Sequence, residues 1–521
     1  MTKDRNFFLF KGTILLSVSV IITKFLGVAF KVPLSYVLGD EGMGYFNTAY
    51  AIYGFFYILC TAGVPKSIML VLSGHGIGEV KDGEARLILK CGLRLFATVG
   101  LIATLLNILC APALASFVGN KRAMLSILAI APSIFFVSLS GVLRGYLNNF
   151  ERLGAIALSQ LIEGVVKLVL GLTLALVGVR CSLPVHAISA LGIFGISVGS
   201  FINFVYLYKT AFVVKGGVKT RQNTKISTAL IRKTIVKNAF PIALSSSLLN
   251  LSSTLDLAMI MKRLVSGGMS EAEANSLYGN YTTLAVPMLM LVISVLSPLA
   301  TSYMPRLSSL SFRSAQNEFA DQLNKLVLIT LVISVPATFT FYFYSFDVLD
   351  ILFSVQSSAV GARMLVCLSL GVCLLSSLTV INTALESQGR IITTVTSLAL
   401  GAITKFAASY ILIGCPAIGV LGAPIGTVIS YAVSLFVSSF ALEISGVKVR
   451  VFLKLLLLGS IGLVSFYIPY KFIYSVSLFG NTVASLSLAV GISCVIYFAF
   501  SAAAYLMGEV SDMFKVHKKE L

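Results

Sequence analysis

Apolar and polar positions in this chain segregate on a long period. Runs of about 20 apolar residues, interrupted by short polar stretches, recur from one end of the sequence to the other. At 1.5 Å per residue, about 20 residues is what an α-helix needs to cross the hydrocarbon of a bilayer. The runs predict about fourteen spans, near residues 12–38, 46–72, 87–110, 123–146, 155–178, 187–211, 235–262, 277–303, 323–345, 360–383, 391–412, 418–443, 452–475 and 482–506. Within lipid a segment must satisfy its own backbone hydrogen bonds, so these runs read as helices. The fold class expected is an all-α polytopic membrane protein.

Composition agrees: of 521 residues 57% are hydrophobic and only 11% charged, with a mean hydropathy of +0.95. That excludes a soluble globular domain. The net charge of +19 would suggest a nucleic-acid partner in a soluble protein, but its distribution argues otherwise. With a cytoplasmic N-terminus, about 26 of the 39 Lys and Arg fall at the inner face, among them Lys3, Arg5, Lys11, the stretch from Lys209 to Lys237, and Lys448 to Lys454. The basic excess is therefore a topology signal. It predicts a protein of the cell membrane with both termini in the cytoplasm, and no nucleic-acid partner. The N-terminus shows no small-residue cleavage site ahead of a polar mature sequence, so the first span is expected to be retained. Eight scattered cysteines have no metal-ligand spacing and read as small buried hydrophobes, so no metal is expected.

The sequence also repeats itself. LRGYLNNFERLGAIALSQLIEGVVKLVLG, from Leu143, echoes LESQGRIITTVTSLALGAITKFAASYILIG, from Leu385; at an offset of 238 residues Arg152 falls on Arg390 and Lys167 on Lys405. Further on, ALGIFGISVGS echoes AIGVLGAPIGT, matching Gly192, Gly195 and Gly199 to Gly419, Gly422 and Gly426. Such glycine spacing suits close helix packing in a membrane. The expected organisation is a six-helix lobe (1–211), a basic cytoplasmic linker (212–234), a second six-helix lobe (235–445), and two further helices with a cytoplasmic tail (446–521). Even-numbered lobes run in the same direction and are expected to be pseudo-symmetric about an axis along the membrane normal.

Charges at bilayer depth cost several kcal/mol and usually mark function. The candidates are Lys24, Lys31, Lys66, Arg94, Glu163, Lys167, Asp256, Glu386 and Lys405. Lys24 lies roughly 18 Å into its span, too deep to reach either surface. Lys31 is nearer the outer end, where it either faces a cavity or extends its amine to the interface. Pro33 is expected to kink the same helix. Glu163 and Lys167 stand i, i+4 with the acid first, the favourable order for an intrahelical ion pair, and Gln160 extends that face. Asp256, with Asn250 nearby, gives the seventh span a polar stripe suited to a counter-ion or a coupling ion. Lys66 and Arg94 sit near span ends, where snorkelling explains them.

No catalytic constellation competes with these charges: the three histidines are far apart, and GHGIG at 74–78 lacks the strand and the Lys-Ser/Thr of a phosphate loop. The protein is not expected to be an enzyme, and no cofactor is implied beyond a coupling ion (Na+ or H+) or the membrane potential. A cavity lined by Lys24, Lys31, Lys167 and Lys405 favours an anion, and a diphosphate-linked polyprenyl saccharide is an anion with a lipid tail.

GVAFKVPLSYVLGDEGMGYF (27–46), TAGVP (61–65) and the stretch from Leu143 resemble the stage V sporulation protein B and polysaccharide-flippase branch of the multidrug/oligosaccharidyl-lipid/polysaccharide (MOP) exporter superfamily. The resemblance covers essentially the whole chain. It implies a fold like that of the multidrug (MATE) exporters, with two six-helix lobes plus two C-terminal helices, and translocation of lipid-linked cell-wall or polysaccharide precursors by alternating access. Cell-wall synthesis enzymes are the partners this role implies, besides the lipid-linked saccharide and membrane lipids. The family's first helix usually carries basic residues at the positions of Lys24 and Lys31, and its Q-x-x-E-x-x-x-R/K pattern matches Gln160, Glu163 and Lys167. Related lipid II flippases carry additional arginines where Tyr57 and Tyr281 stand here, and Lys66 departs from the family's usual residue. The competing reading, a cation-coupled multidrug exporter, needs acidic residues facing a cavity, for which only Asp256 and Glu163 qualify.

Overall fold

A computed structural model describes residues 2–72, 84–213, 227–312, 316–353, 355–442, 447–474 and 482–517. Among these residues all regular structure is helical. The chain divides into two compact units, Met1–Gly279 and Asn280–Leu521.

The first unit begins with α1 (Thr2–Thr61), interrupted at Gly39, where φ is 62° and ψ −173°. Positive φ favours glycine, because any Cβ there is strained. Lys31 and Asn47, which a straight helix would hold about 24 Å apart, are hydrogen-bonded at 3.5 Å, and the rings of Phe30 and Phe46 lie 5.9 Å apart. The element is thus a helical hairpin folded at Gly39. The expected kink at Pro33 is not where the chain turns: Pro33 lies within the first arm. The local reason is that proline fixes a φ that helices share, whereas reversing the chain needs the left-handed conformation available to glycine.

The rest of this unit comprises α2 (Val64–Leu72), α3 (Ala85–Val118), α4 (Met124–Asn149), α5 (Leu153–Arg180), α6 (Val185–Val213), α7 (Thr228–Ser266) and α8 (Glu271–Asn280). Its core gathers Ile68, Ile88, Val142, Tyr146 and Leu207 with Ile231 and Ile235 of α7. Ser67 Oγ donates to Ile235 O at 2.8 Å and Thr254 Oγ1 to Ala51 O at 3.3 Å. Contacts therefore group α7 with the first six passes, on the N-terminal side of the compact-unit boundary, although it follows the basic linker in sequence. Residues 214–226 of that linker, and GHGIG at 74–78, lie outside the described residues.

The second unit holds α9 (Val286–Phe312), α10 (Gln316–Phe343), α11 (Ser345–Asp350), α12 (Val355–Ser387), α13 (Ile391–Ile413), α14 (Gly422–Ala441), α15 (Val447–Pro469) and α16 (Thr482–His517). A π-helical turn, Tyr281–Ala285, leads into α9. Its core runs through Leu307, Leu323, Leu331, Tyr344, Leu378, Ile381 and Phe466.

Twelve helical stretches among the described residues are long and apolar enough to span a bilayer. One of them, Phe25–Leu72, contains both arms of the α1 hairpin, and α7 falls outside the twelve. The fourteen expected passes map onto these elements once the hairpin is taken as two crossings and α7 as one. In each unit one helix, α4 or α12, is largely buried, and one, α5 or α13, presents most of its surface outward. Exposed Leu158, Val165 and Val169 on α5, and Ile392, Ile403 and Ile411 on α13, suit contact with lipid.

A cationic cavity inside the first unit

Between the α1 hairpin and helices α4, α5 and α6 lies a cavity of about 440 Å³. Thr23, Tyr50, Tyr53 and Tyr57 line it from α1, Arg144 from α4, Gln160, Glu163 and Lys167 from α5, and Ile196 from α6. Residues 160, 163 and 167 share a face because they are three and four apart on one helix. The three tyrosines follow the same rule on the second arm of α1, where Tyr50 and Tyr53 lie 5.9 Å apart and Tyr53 and Tyr57 5.5 Å apart.

The ion pair differs from the expected one. Glu163 Oε2 accepts from Arg144 Nη2 at 3.3 Å and from Asn203 Nδ2 at 2.7 Å, while Oε1 accepts from Ser200 Oγ at 3.2 Å. Glu163 thus ties α5 to α4 and α6. Lys167, expected to pair with Glu163, makes no hydrogen bond or ion pair of that kind among the described residues; its Nζ lies over the Phe30 ring, 5.5 Å from the centroid. An i, i+4 pair along one helix gains only about 0.3–0.5 kcal/mol. A carboxylate that also receives three donors from neighbouring helices is the stronger arrangement.

Lys31 turns toward the second arm of the hairpin. Its Nζ donates to Asn47 Oδ1 at 3.5 Å and sits 5.9 Å from the Tyr50 ring centroid, so the second arm of the hairpin holds it. Lys31 and Lys167 act on one another electrostatically, although only Lys167 is among the residues lining the cavity. The side chains of Lys24 and Asn250 lie outside the described residues. Asp256 is buried on α7 and is not among the residues lining the cavity. Lys405 is half-buried on α13, in the second unit. Lys66 and Arg94 are exposed, and Glu386 is half-buried at the end of α12. Tyr281 shares a 3.0 Å hydrogen bond with Thr427, whereas Tyr57 faces the cavity.

Arg144 is the residue that sequence reasoning missed. It stands in the fourth apolar run, two residues from that run's predicted end, where an arginine passes as an interfacial residue. Its inward direction depends on Glu163, a residue of the next helix.

Two of the lining residues, and Asn203 bonded to Glu163 behind them, carry polar atoms that the fold leaves unsatisfied. Gln160 Oε1, Arg144 Nε and Asn203 Oδ1 are buried and have no hydrogen-bond partner among the described residues. Leaving such a group unpaired costs about 1–3 kcal/mol, which a ligand carrying matching groups would recover.

A multi-pass helical bundle with a half-open cavity lined by Arg144 and Lys167 has the construction of a membrane transporter. The chain belongs to the polysaccharide biosynthesis protein family, which it matches over residues 9–311. It is 25% identical to stage V sporulation protein B of Bacillus subtilis (strain 168) over 428 residues, 80% of each chain. Its fold is similar to that of the lipid II flippase MurJ in an inward closed conformation, with a TM-score of 0.67 and 17% identity over 94% of this chain and 99% of that one. An inward-facing MATE family multidrug transporter of the MOP superfamily gives a TM-score of 0.64 and 14% identity, over 85% of this chain and 98% of the other.

Proposed function

We propose that the protein is a flippase that carries a polyprenyl-diphosphate-linked saccharide, a peptidoglycan, spore-cortex or polysaccharide precursor, from the inner to the outer leaflet of the cell membrane by alternating access. The observation that carries this reading is Lys167, an ammonium on the wall of a 440 Å³ cavity whose neighbouring carboxylate is already engaged by Arg144. Since Arg144 balances Glu163, Lys167 leaves a surplus of positive charge on the cavity wall for the ligand. An ammonium is a strong point-charge contact for phosphate. A cavity of this size fits a diphosphate and the sugar next to it, with the polyprenyl chain left to the lipid.

In this reading Lys24, Lys31, Lys167 and Lys405 contact the diphosphate at different stages of transport. Gln160, Glu163, Asn250 and Asp256 supply polar and counter-ion support. The repeat organisation (1–211, 212–234, 235–445 and 446–521) provides the alternating halves, and both termini are cytoplasmic. An inside-negative potential assists outward movement of an anion by about 2.3 kcal/mol per charge per 100 mV; Na+ or H+ coupling is the other source of drive. Cell-wall synthesis enzymes would supply and consume the cargo.

The test is translocation of a fluorescent polyprenyl-diphosphate saccharide in proteoliposomes. Lys167→Ala and Lys24→Ala are expected to slow it at least about tenfold, with Lys167→Arg partly active because the charge is kept. Undiminished transport in both alanine variants would remove the lysines from the mechanism. Sodium- or proton-driven export of a cationic dye, lost in Asp256→Asn, would instead favour a multidrug exporter.

A further inference from the structure

The three kinds of cargo that could enter the cavity differ in the hydrogen-bonding groups they bring. Gln160 Oε1 is a buried acceptor awaiting a donor, and Arg144 Nε is a buried donor awaiting an acceptor. Both residues line the same wall as Lys167. A phosphate or diphosphate offers acceptors only, so it satisfies Arg144 and Lys167 and leaves Gln160 Oε1 unpaired. An organic ammonium offers donors only, so it suits Gln160 but is repelled by Arg144 and Lys167. A sugar ring offers donor and acceptor side by side, either as vicinal hydroxyls or as an acetamido group.

The tyrosines line the same cavity from the second arm of α1. Tyr50, Tyr53 and Tyr57 form a continuous ladder along the second arm of α1, and Tyr53 is almost wholly buried. The less buried Tyr50 and Tyr57 offer flat, amphipathic surfaces, apolar on the face and polar at the rim, that match a pyranose in the same way. Nothing in anion binding calls for such a surface, because a diphosphate gains little from aromatic faces.

We propose that the α4–α5 wall of this cavity is a sugar-reading subsite. In it Gln160 Oε1 accepts a hydrogen bond from the saccharide unit next to the diphosphate, Arg144 Nε donates one to the same unit, and the tyrosines of the second arm of α1 offer the ring an aromatic surface. The inference rests on the flippase reading above and adds selectivity to it: Lys167 holds the charge, and Gln160 with Arg144 checks that a sugar is attached. Glu163 acts here as a positioning residue, since its bond to Arg144 Nη2 fixes the guanidinium with Nε left free.

The experiment measures binding to the full-length protein in nanodiscs with three probes: polyprenyl diphosphate, polyprenyl-diphosphate-N-acetylhexosamine and polyprenyl-diphosphate-hexose. The wild-type protein is expected to prefer a sugar-bearing probe to bare polyprenyl diphosphate. Gln160→Leu, which keeps the bulk and removes the acceptor, is expected to reduce that preference by about tenfold, the usual scale for one buried hydrogen bond. Arg144→Lys, which keeps the charge facing Glu163 and removes Nε, is expected to reduce it similarly and serves if the leucine variant does not fold. Which of the two sugar probes loses more in Gln160→Leu tells an acetamido contact from a hydroxyl contact. An unchanged preference in both variants, with Lys167→Ala still weakening all three probes, would overturn the sugar subsite and leave the flippase reading standing. Failure of the wild-type protein to bind any of the three probes would overturn both.

Discussion

Helices α4–α6 and α12–α14 share one scaffold but fill its centre with different chemistry. Both α5 and α13 follow a turn of the same shape. Glu151 and Gly389 take positive φ, 59° and 76°, and the next residues, Arg152 and Arg390, have φ, ψ of −85°, 49° and −87°, 47°. Arg152 N donates to Leu147 O and Arg390 N to Leu385 O, each at 2.9 Å. All these pairs obey the offset of 238 residues. At that offset Arg144 corresponds to Asn382 and Glu163 to Gly401.

In the first unit the centre is an ion cluster of Arg144, Glu163, Ser200 and Asn203. In the second it is uncharged: Ser438 Oγ donates to Asn382 Oδ1 at 2.9 Å or to Ser397 Oγ at 2.7 Å, and Ser434 Oγ donates to Ser397 O at 3.1 Å. A Cβ at Gly401 would collide with the Ser434 hydroxyl, so α13 and α14 approach too closely for a glutamate there. Lys167 and Lys405, one helical turn further along, are alike in both units. Lys167 and Lys405 thus hold the same position in the repeat, whereas at this centre the charged cluster occurs among the described residues only in the first unit, beside its cavity. The first unit is thus the one equipped to orient a polar ligand.

The largest effect should come from breaking the cluster that the second unit lacks. Glu163→Gln leaves Arg144 without its carboxylate and is expected to lower stability by about 2–3 kcal/mol, below the full cost of breaking a buried pair because both side chains are partly exposed. Adding Arg144→Gln should restore part of this, giving a coupling of at least about 1 kcal/mol in thermal unfolding of the detergent-solubilised protein. Additive losses would mean the two charges do not support one another. The glycine contacts give a middle-sized contrast. A Cβ at Gly195 would meet the backbone of Gly171 at 2.5 Å, whereas one at Gly426 first meets the Ser409 hydroxyl, which can rotate. Gly195→Ala is therefore expected to cost about 1–3 kcal/mol and Gly426→Ala less, with the reverse order refuting the comparison. The smallest effect lies at the shared turn, where Gly389→Ala should cost about 1–2 kcal/mol through its positive φ; a neutral result would show that the turn relaxes.

The same glycine contacts correct the register of the repeat. Matching sequence to sequence aligns Gly195 with Gly422 and Gly199 with Gly426. In the structure Gly195 packs against Gly171, and Gly426 packs against Ser409, which is residue 171 at the offset of 238. Gly195 and Gly426 are therefore the equivalent pair, one helical turn from the sequence match. A glycine-rich helix can slide by four residues and present the same face, so its sequence match is degenerate, and only the partner helix selects the register.

The hydrophobic pattern by itself determined the helical class, the positions of nearly all the passes and the face shared by Gln160, Glu163 and Lys167, because those follow from helix period and bilayer thickness, and matched residues marked the repeat. It also singled out Lys31 and Lys167 as charges needing an explanation. Their partners were decided by tertiary structure. Lys31 reaches Asn47 only because α1 folds back at Gly39, and Glu163 turns from Lys167 to Arg144 only because α4 and α6 bring donors to it. A sequence shows which charges must be compensated within a membrane; the packing of separate helices determines which groups compensate them and which remain for a ligand.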